Sequence, residues 1–448
     1  MEAIVIIFIS ALISLFLGIL KKPTLVMVVS IAGLAIGAIV QNYEWYFLNE
    51  KYQLLDFNDS NIQFLNLAVT LTGIIILSGY KHFMDEPATI GDFSALMLFS
   101  LSGGLCLIGF KDLFMFFLGL EILSIPLYVL AGSKKKSASS SEAALKYFYL
   151  GSFATALLLF GIALVYGTVG TFNIEKIGFI SMLFTDQLPS MFFVGVLFML
   201  AAMLFKVGAF PFHFWVADVY QGSPSVFMTY MSSVVKLIGI YAFYRLFGMM
   251  FPGVETFWTT LIVIAIFVSM FIGNLSALNQ DTFKRLMAFS SITNGAYALM
   301  TVLTYKSGSD ALLVYMVGYG FSVVALMTIS MLVNDNDDKL SSLSGIGYKN
   351  PLIGVVGIVA LLSVAGIPPM TGFFGKAMVF YQAFEENMWL VSFALLNSAI
   401  GVYIYLKITM TLMKKDDNAA VISLNWSQQL VLSISLLALL FGWTILYF

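Results

Sequence analysis

Glu121 stands in the middle of FMFFLGLEILSIPLYVL, and Lys236 in the middle of VFMTYMSSVVKLIGIYAFYRLF. Both runs are long enough to cross a bilayer, and neither charge is close enough to an end to snorkel to water. A charged side chain at the membrane centre costs about 2.5–3.5 kcal/mol on insertion scales, so such residues mark ion or proton pathways. Two more lysines stand beside helix-breaking sequence. Lys206 is followed by GAFPFHFW, with Gly208 and Pro211, and Lys376 is preceded by AGIPPMTGFFG, with Gly366, Pro368, Pro369, Gly372 and Gly375. Proline removes an intrahelical hydrogen bond, and lipid cannot satisfy the carbonyl left behind. Discontinuous helices at membrane depth are how transporters build ion sites. His213 falls at the first break, where an imidazole titrating near neutrality suits a proton relay; its plainer reading is a ring hydrogen-bonded to a freed carbonyl. Lys146 and Glu142 lie at a helix start, where a cap or surface pair would serve equally, and Asp218 lies near a span end. Arg245 and Lys407 lie toward span ends and can snorkel.

Carboxylates and amines of this kind take up and release protons, but they carry no electrons. The rest of the composition agrees. Cys106 is the only cysteine, and His82 and His213 are the only histidines, which excludes a structural zinc site, an iron–sulfur cluster or a disulfide framework within the chain. No glycine-rich phosphate loop follows a strand and no catalytic triad is present, which argues against a self-contained enzyme. The net charge of −2 comes with no basic stripe, so there is no nucleic-acid footprint.

The elements that must hold these residues are membrane helices. Of 448 residues, 60% are hydrophobic and 10% charged, against about 25% charged in soluble domains, and the mean hydropathy is +0.95. A span needs about 20 apolar residues, which gives about fourteen segments. They lie near 2–20, 24–41, 63–80, 91–110, 112–131, 143–168, 190–216, 224–249, 255–278, 282–304, 309–333, 351–381, 388–412 and 425–447. The loops are short, the longest near 42–62, and the first segment reads as a retained helix rather than a cleaved signal, because Glu2 leads it and lysines follow it. With the N-terminus outside, the inside loops hold Lys21, Lys22, Lys81, Lys134, Lys135, Lys136, Lys284, Arg285, Lys339, Lys349, Lys414 and Lys415. The outside loops hold Lys51, Lys111, Lys176 and Lys306. The positive-inside rule therefore predicts both termini outside.

An internal repeat organises the middle of the chain. Gly239–Arg245 (GIYAFYR) resembles Gly401–Lys407 (GVYIYLK), Val219-Tyr220-Gln221 resembles Phe380-Tyr381-Gln382, and the GAFP from Gly208 resembles the GIPP from Gly366, all at offsets near 160 residues. Five helices fit that spacing, and an odd number inverts the second copy. The expected fold is an all-α polytopic membrane protein with two inverted five-helix repeats, each containing a broken helix. Residues 1–90 form an N-terminal three-helix segment, 91–250 the first repeat, 251–415 the second, and 416–448 the fourteenth helix. The copies differ: Lys206 aligns with Val364, Lys236 with Ser398, and Glu121 falls near Ser290.

The stretches GLEILSIPLYVLAG, EAALKYFYLGSFA, FKVGAFPFHFWVADVYQGSP, NLSALNQDTFKRLMAFSSITNGAY and SVAGIPPMTGFFGKAMVF together resemble the antiporter-like membrane subunits of NADH-quinone oxidoreductase (complex I). That family is related to subunits of multisubunit Na⁺/H⁺ antiporters. The resemblance runs from about residue 112 to 380. The LEILSIPLY context, the lysine at 376 and the end of the chain after the fourteenth span are most similar to its subunit N group. The resemblance implies a proton-pumping subunit of a translocase, in which Glu121 matches the fifth-helix glutamate and Lys206 the seventh-helix lysine that pairs with it. Lys236 matches the eighth-helix lysine, Lys376 the twelfth-helix lysine near the outward exit, Lys146 a sixth-helix lysine and His213 a relay position. The eleventh helix departs from the pattern, offering Tyr315 and Tyr319 instead of a lysine or histidine, and Lys407 is a further candidate. By the same resemblance, FMN, iron–sulfur clusters and quinone belong on partner subunits of the membrane and redox arms, and the location is a bacterial inner membrane. The alternatives are a subunit of an Na⁺/H⁺ antiporter, a subunit of a membrane-bound hydrogenase or formate-lyase complex, and a scaffold that contributes packing only.

Overall fold

The computed structural model describes residues 2–48, 55–79, 89–134, 136–305, 307–333, 338–416, 419 and 421–447. Lys51, Lys81, His82, Lys135 and Lys306 lie outside the described residues. Among those described, twelve helices are long and apolar enough to cross a membrane, and Glu2–Gly18 and Pro351–Ala365 are shorter apolar helices. Together they account for the fourteen expected segments.

The helices are α1 (Glu2–Gly18), α2 (Pro23–Tyr43), α3 (Asp59–Ser78), α4 (Ile90–Gly109), α5 (Leu113–Ala131), α6 (Ala138–Val169), α7 (Ile174–Leu183), α8 (Ser190–Val207), α9 (Phe214–Gly222), α10 (Ser225–Met250), α11 (Glu255–Leu278), α12 (Phe283–Leu303), α13 (Gly308–Val333), α14 (Pro351–Ala365), α15 (Thr371–Glu386), α16 (Met388–Leu412) and α17 (Trp426–Phe441). The helix α7 caps a loop that the sequence left plain. The interior consists of α10, α12 and α13, buried on all sides, whereas α2, α6 and α17 turn large apolar side chains such as Ile39, Phe153 and Leu437 outward.

The expected spans 190–216 and 351–381 are each two helices. Each first half ends in a left-handed glycine, Gly208 at φ 71° and Gly366 at φ 82°. The turn closes with Ala209 N donating to Leu204 O (2.9 Å) at one break and Ile367 N donating to Leu362 O (3.0 Å) at the other. Glycine thus ends the helix in a Schellman-type cap, and the prolines two or three residues on prevent its resumption. A cis X-Pro bond follows in each, Phe210–Pro211 and Pro368–Pro369.

A second matched feature fastens the helix ends. At the base of α5, Leu113 N donates to Phe172 O and Ile174 N to Lys111 O. At the base of α12, Phe283 N donates to Asp338 O and Leu340 N to Asp281 O. Each is a short antiparallel bridge, Asp112 with Asn173 and Thr282 with Lys339. Between α13 and α15 the backbones touch. A Cβ on Gly375 would lie 2.4 Å from Tyr315 Cα, and one on Gly318 would lie 2.7 Å from Gly372 Cα. Small residues permit this approach, and it sets Lys376 one residue beyond the contact with Tyr315.

Candidate functional site in the helix interior

At the first break, Lys206 occupies the last turn of α8, half-buried. Its ammonium donates to Ser124 Oγ (2.5 Å), one turn along α5 from Glu121, and Ser124 donates to Leu120 O. Glu121 is also half-buried and accepts from Thr155 Oγ1 of α6 (2.8 Å). Ser124, Thr155, Tyr128 and Lys206 line one narrow pocket of about 10 Å³ between α5, α6 and α8, room for little more than one water. The carboxylate and the ammonium therefore share a site without a direct ion pair among the described residues; a serine and a threonine stand in between.

Lys236 follows a π-helical turn, Met231–Val235, inside α10. Such turns are rare and recur at functional positions. Lys236 is 5% exposed, and its ammonium donates to Ser291 O and, at 3.1 Å, to Ser291 Oγ. The two lysines approach through glycines. A Cβ on Gly239 would lie 3.8 Å from Lys206 Cγ, and one on Gly295 would lie 3.1 Å from Lys236 Nζ and 3.8 Å from Val207 O. Lys236 is thus beside the carbonyl end of α8.

From Ser291 a line of neutral polar groups continues along α12. The Tyr405 hydroxyl and Ser290 Oγ are 2.6 Å apart, and Asn294 Nδ2 donates to Ser290 O (2.9 Å) and to the Tyr405 hydroxyl (3.2 Å). The Tyr315 hydroxyl reaches Asn294 O and Oδ1, each at 3.0 Å. Positions 290, 291, 294 and 297 share one helical face. At its end, Tyr297 presents its ring 5.1 Å from Lys376 Nζ. Lys376, 7% exposed, donates to Val364 O (2.7 Å) and Ala365 O (3.1 Å), the freed carbonyls at the end of α14.

The other expected residues are placed as follows. His213 is the N-cap residue of α9, 5% exposed, with Nδ1 unpartnered. Tyr319 is buried, its hydroxyl beside the Ser291 side chain but without a well-formed hydrogen bond among the described residues. Lys146 pairs with Glu142 (2.7 Å) and Asp218 (2.8 Å), and Arg285 also reaches Asp218 (2.9 Å), around an open cleft of about 1090 Å³ that Lys134, Lys284 and Asp338 also line. Asp218 lies between the long spans. Burial opposes its ionisation, but the hydrogen bonds and charges of Lys146 and Arg285 outweigh it and hold the carboxyl below its ordinary range. Arg245 is 3% exposed, bonded to Ile108 O, stacked on Phe110 and 3.9 Å from the half-exposed carboxylate of Asp56. Lys407 is exposed on α16, apart from the line of interior groups. Sequence reasoning missed Ser124, Thr155, Ser290, Ser291, Asn294, Tyr297 and Tyr405, although the first six lie within stretches that carried the family resemblance or beside the residues it names.

A bundle of membrane helices with two glycine-capped breaks, each answered by a buried lysine, defines a polytopic protein of the ion-transporting class. Its family follows from comparison. Residues 111–401 match the membrane domain shared by NADH:quinone oxidoreductase and Mrp antiporters, and the chain belongs to that family. It is 37% identical to NADH-quinone oxidoreductase subunit N of Cytophaga hutchinsonii over 91% of this chain and 89% of that one. It is 32% identical to subunit N of Flavobacterium psychrophilum over 96% of each. Among solved structures it is similar to a chain of respiratory complex I from Thermus thermophilus (TM-score 0.83, 26% identity, 99% of this chain and 97% of that one). The fold is shared with the Mrp complex from Dietzia sp. (TM-score 0.81, 22% identity, 92% and 80%).

Proposed function

We propose that this chain is a proton-translocating membrane-arm subunit of NADH-quinone oxidoreductase, of the subunit N type. The observation that carries the reading is that Lys236 and Lys376 meet the two ends of one face of α12, at Ser291 and Tyr297, with Ser290 and Asn294 between them, while Lys206 stands at the first break beside Ser124. Glu121 holds a negative charge near Lys206. When that charge moves or is altered by a neighbouring subunit, Lys206 loses stabilisation and its proton passes toward Lys236, with His213 beside the path at the break. Ser291, Asn294, Tyr405 and Tyr315 bridge the stretch where the family pattern has an ionisable group. Lys376 then delivers outward. One unit of pKa shift is worth about 1.4 kcal/mol, and moving one charge against 100 mV costs about 2.3 kcal/mol, so shifts of a few units suffice. The Lys146, Asp218 and Arg285 cleft serves as inner access.

The two halves are read as 91–250 and 251–415, supported by the paired glycine caps and paired backbone bridges. FMN, iron–sulfur clusters and quinone reside on partner subunits, and electrons do not enter this chain. The setting is a bacterial inner membrane with both termini outside, supported by the lysine distribution; Lys134 and Lys284, assigned to different inner loops, line the same cleft.

The test is Lys236→Ala in the intact complex reconstituted in vesicles. Proton uptake per quinone reduced should fall about tenfold or more, the loss of ~1.4 kcal/mol or more of stabilisation along the path. Uptake unchanged at matched quinone reduction would sink the reading, and uptake that requires sodium would replace it with an antiporter subunit.

A further inference from the structure

Lys376 differs from Lys206 and Lys236 in having no side-chain hydrogen-bond partner among the described residues. An ammonium has three donors. Two are taken by Val364 O and Ala365 O, and the remaining side of Lys376 faces the Tyr297 ring at 5.1 Å. Among the described residues no carboxylate forms an ion pair with it. The ring itself is fixed from behind. Asn397 Nδ2 of α16 donates to the Tyr297 hydroxyl (3.1 Å), and Asn274 Nδ2 of α11 donates to Asn397 O (2.7 Å). Tyr297, Asn397 and Asn274 are each at most 2% exposed. Phe380 packs edge-on against the same ring, at 5.5 Å and 75°. A desolvated ammonium over an aromatic face is held by the ring quadrupole, and here that face is aimed by groups from three other helices.

We propose that Tyr297 is a positioning residue for Lys376. Its ring face completes the seat of the ammonium, and its hydroxyl, anchored through Asn397 to Asn274, sets the ring's orientation. The inference rests on the reading of Lys376 as a proton-carrying group. It assigns a role to the ring that neither phenol chemistry nor proton relay requires.

The experiment compares Tyr297→Phe, Tyr297→Leu and Tyr297→Met with Lys376→Met, in the intact complex in vesicles, at matched NADH oxidation. Removing the ring should lower proton uptake per NADH about threefold or more, while phenylalanine, which keeps the face, should restore most of it. Methionine preserves bulk and serves where leucine blocks assembly. If the leucine and methionine variants pump like phenylalanine, or if phenylalanine falls as far as they do, the proposal is overturned. Loss in Lys376→Met with normal pumping in the ring-less variants overturns only this inference; normal pumping in Lys376→Met overturns the proton-path reading beneath it.

Discussion

The two breaks use the same backbone device and put the lysine on opposite sides of it. At the first, Lys206 precedes Gly208 and turns away from the freed carbonyls to a serine on α5, with Glu121 one turn off. At the second, Lys376 follows Gly366 and reaches back onto the carbonyls of Val364 and Ala365. One ammonium therefore sits in a field that another residue can change by moving or titrating. The other is seated in fixed neutral dipoles, which favour a cation at a helix C-terminus regardless of pH. On the proposed reading, the difference separates a group that can be switched from a group that passes on what it receives, and it follows from moving one lysine across the same turn geometry.

The sharpest way to break the comparison is Glu121→Gln. Removing the carboxylate beside Lys206 should cut proton uptake about tenfold or more, measured by pH-dye quenching in vesicles, whereas at the second break no carboxylate pairs with Lys376 among the described residues. A smaller and more diagnostic effect is expected from the glycines. Alanine at either cap costs about 1–2 kcal/mol for a left-handed residue. At Gly366 the new methyl would also meet Lys376 Cδ at 2.8 Å, while at Gly208 it would meet Val216 Cγ2 at 2.6 Å. Gly366→Ala should thus lose more pumping than Gly208→Ala among complexes that assemble equally well; equal losses would mean that Lys376 adjusts freely.

Between the breaks, Tyr315→Phe removes hydrogen bonds worth about 0.5–1.5 kcal/mol each from Asn294 and should lower turnover severalfold. The smallest effect concerns Asp218. Its carboxyl is held below its ordinary range, so the tie it makes to Lys146 and Arg285 is present at neutral pH and is lost as pH falls through that lowered value. Melting curves of the complex should show Asp218→Asn converging with the parent only on the acid side of the ordinary carboxylate range.

Charges in apolar runs were readable from the chain, because lipid makes every one of them conspicuous: Lys236 and Lys376 are buried, and Glu121 and Lys206 lie half-buried beside Ser124 and Thr155. The cations toward span ends were not separable by spacing. Arg245 proved buried and Lys407 exposed, because helix length does not say which side of a helix meets lipid. The neutral bridge was invisible for a different reason. With 21 tyrosines in the chain, residue type alone singles out neither Tyr297 nor Tyr405, and their partners are about a hundred residues away or more. Proline was the visible sign of each break, but the cap that ends the helix is a glycine, and only its positive φ reveals it.

A pump is useful only if protons cannot slip back, and the seam where α13 and α15 touch bears on that. With Gly318, Gly372 and Gly375 bringing backbone against backbone, there is no room for a thread of solvent to run between these two helices past Lys376. On the proton-path reading proposed above, the seam works as a gasket: it closes one flank of Lys376 and makes backflow there a matter of changing the charge on Lys376 rather than of finding a gap beside it.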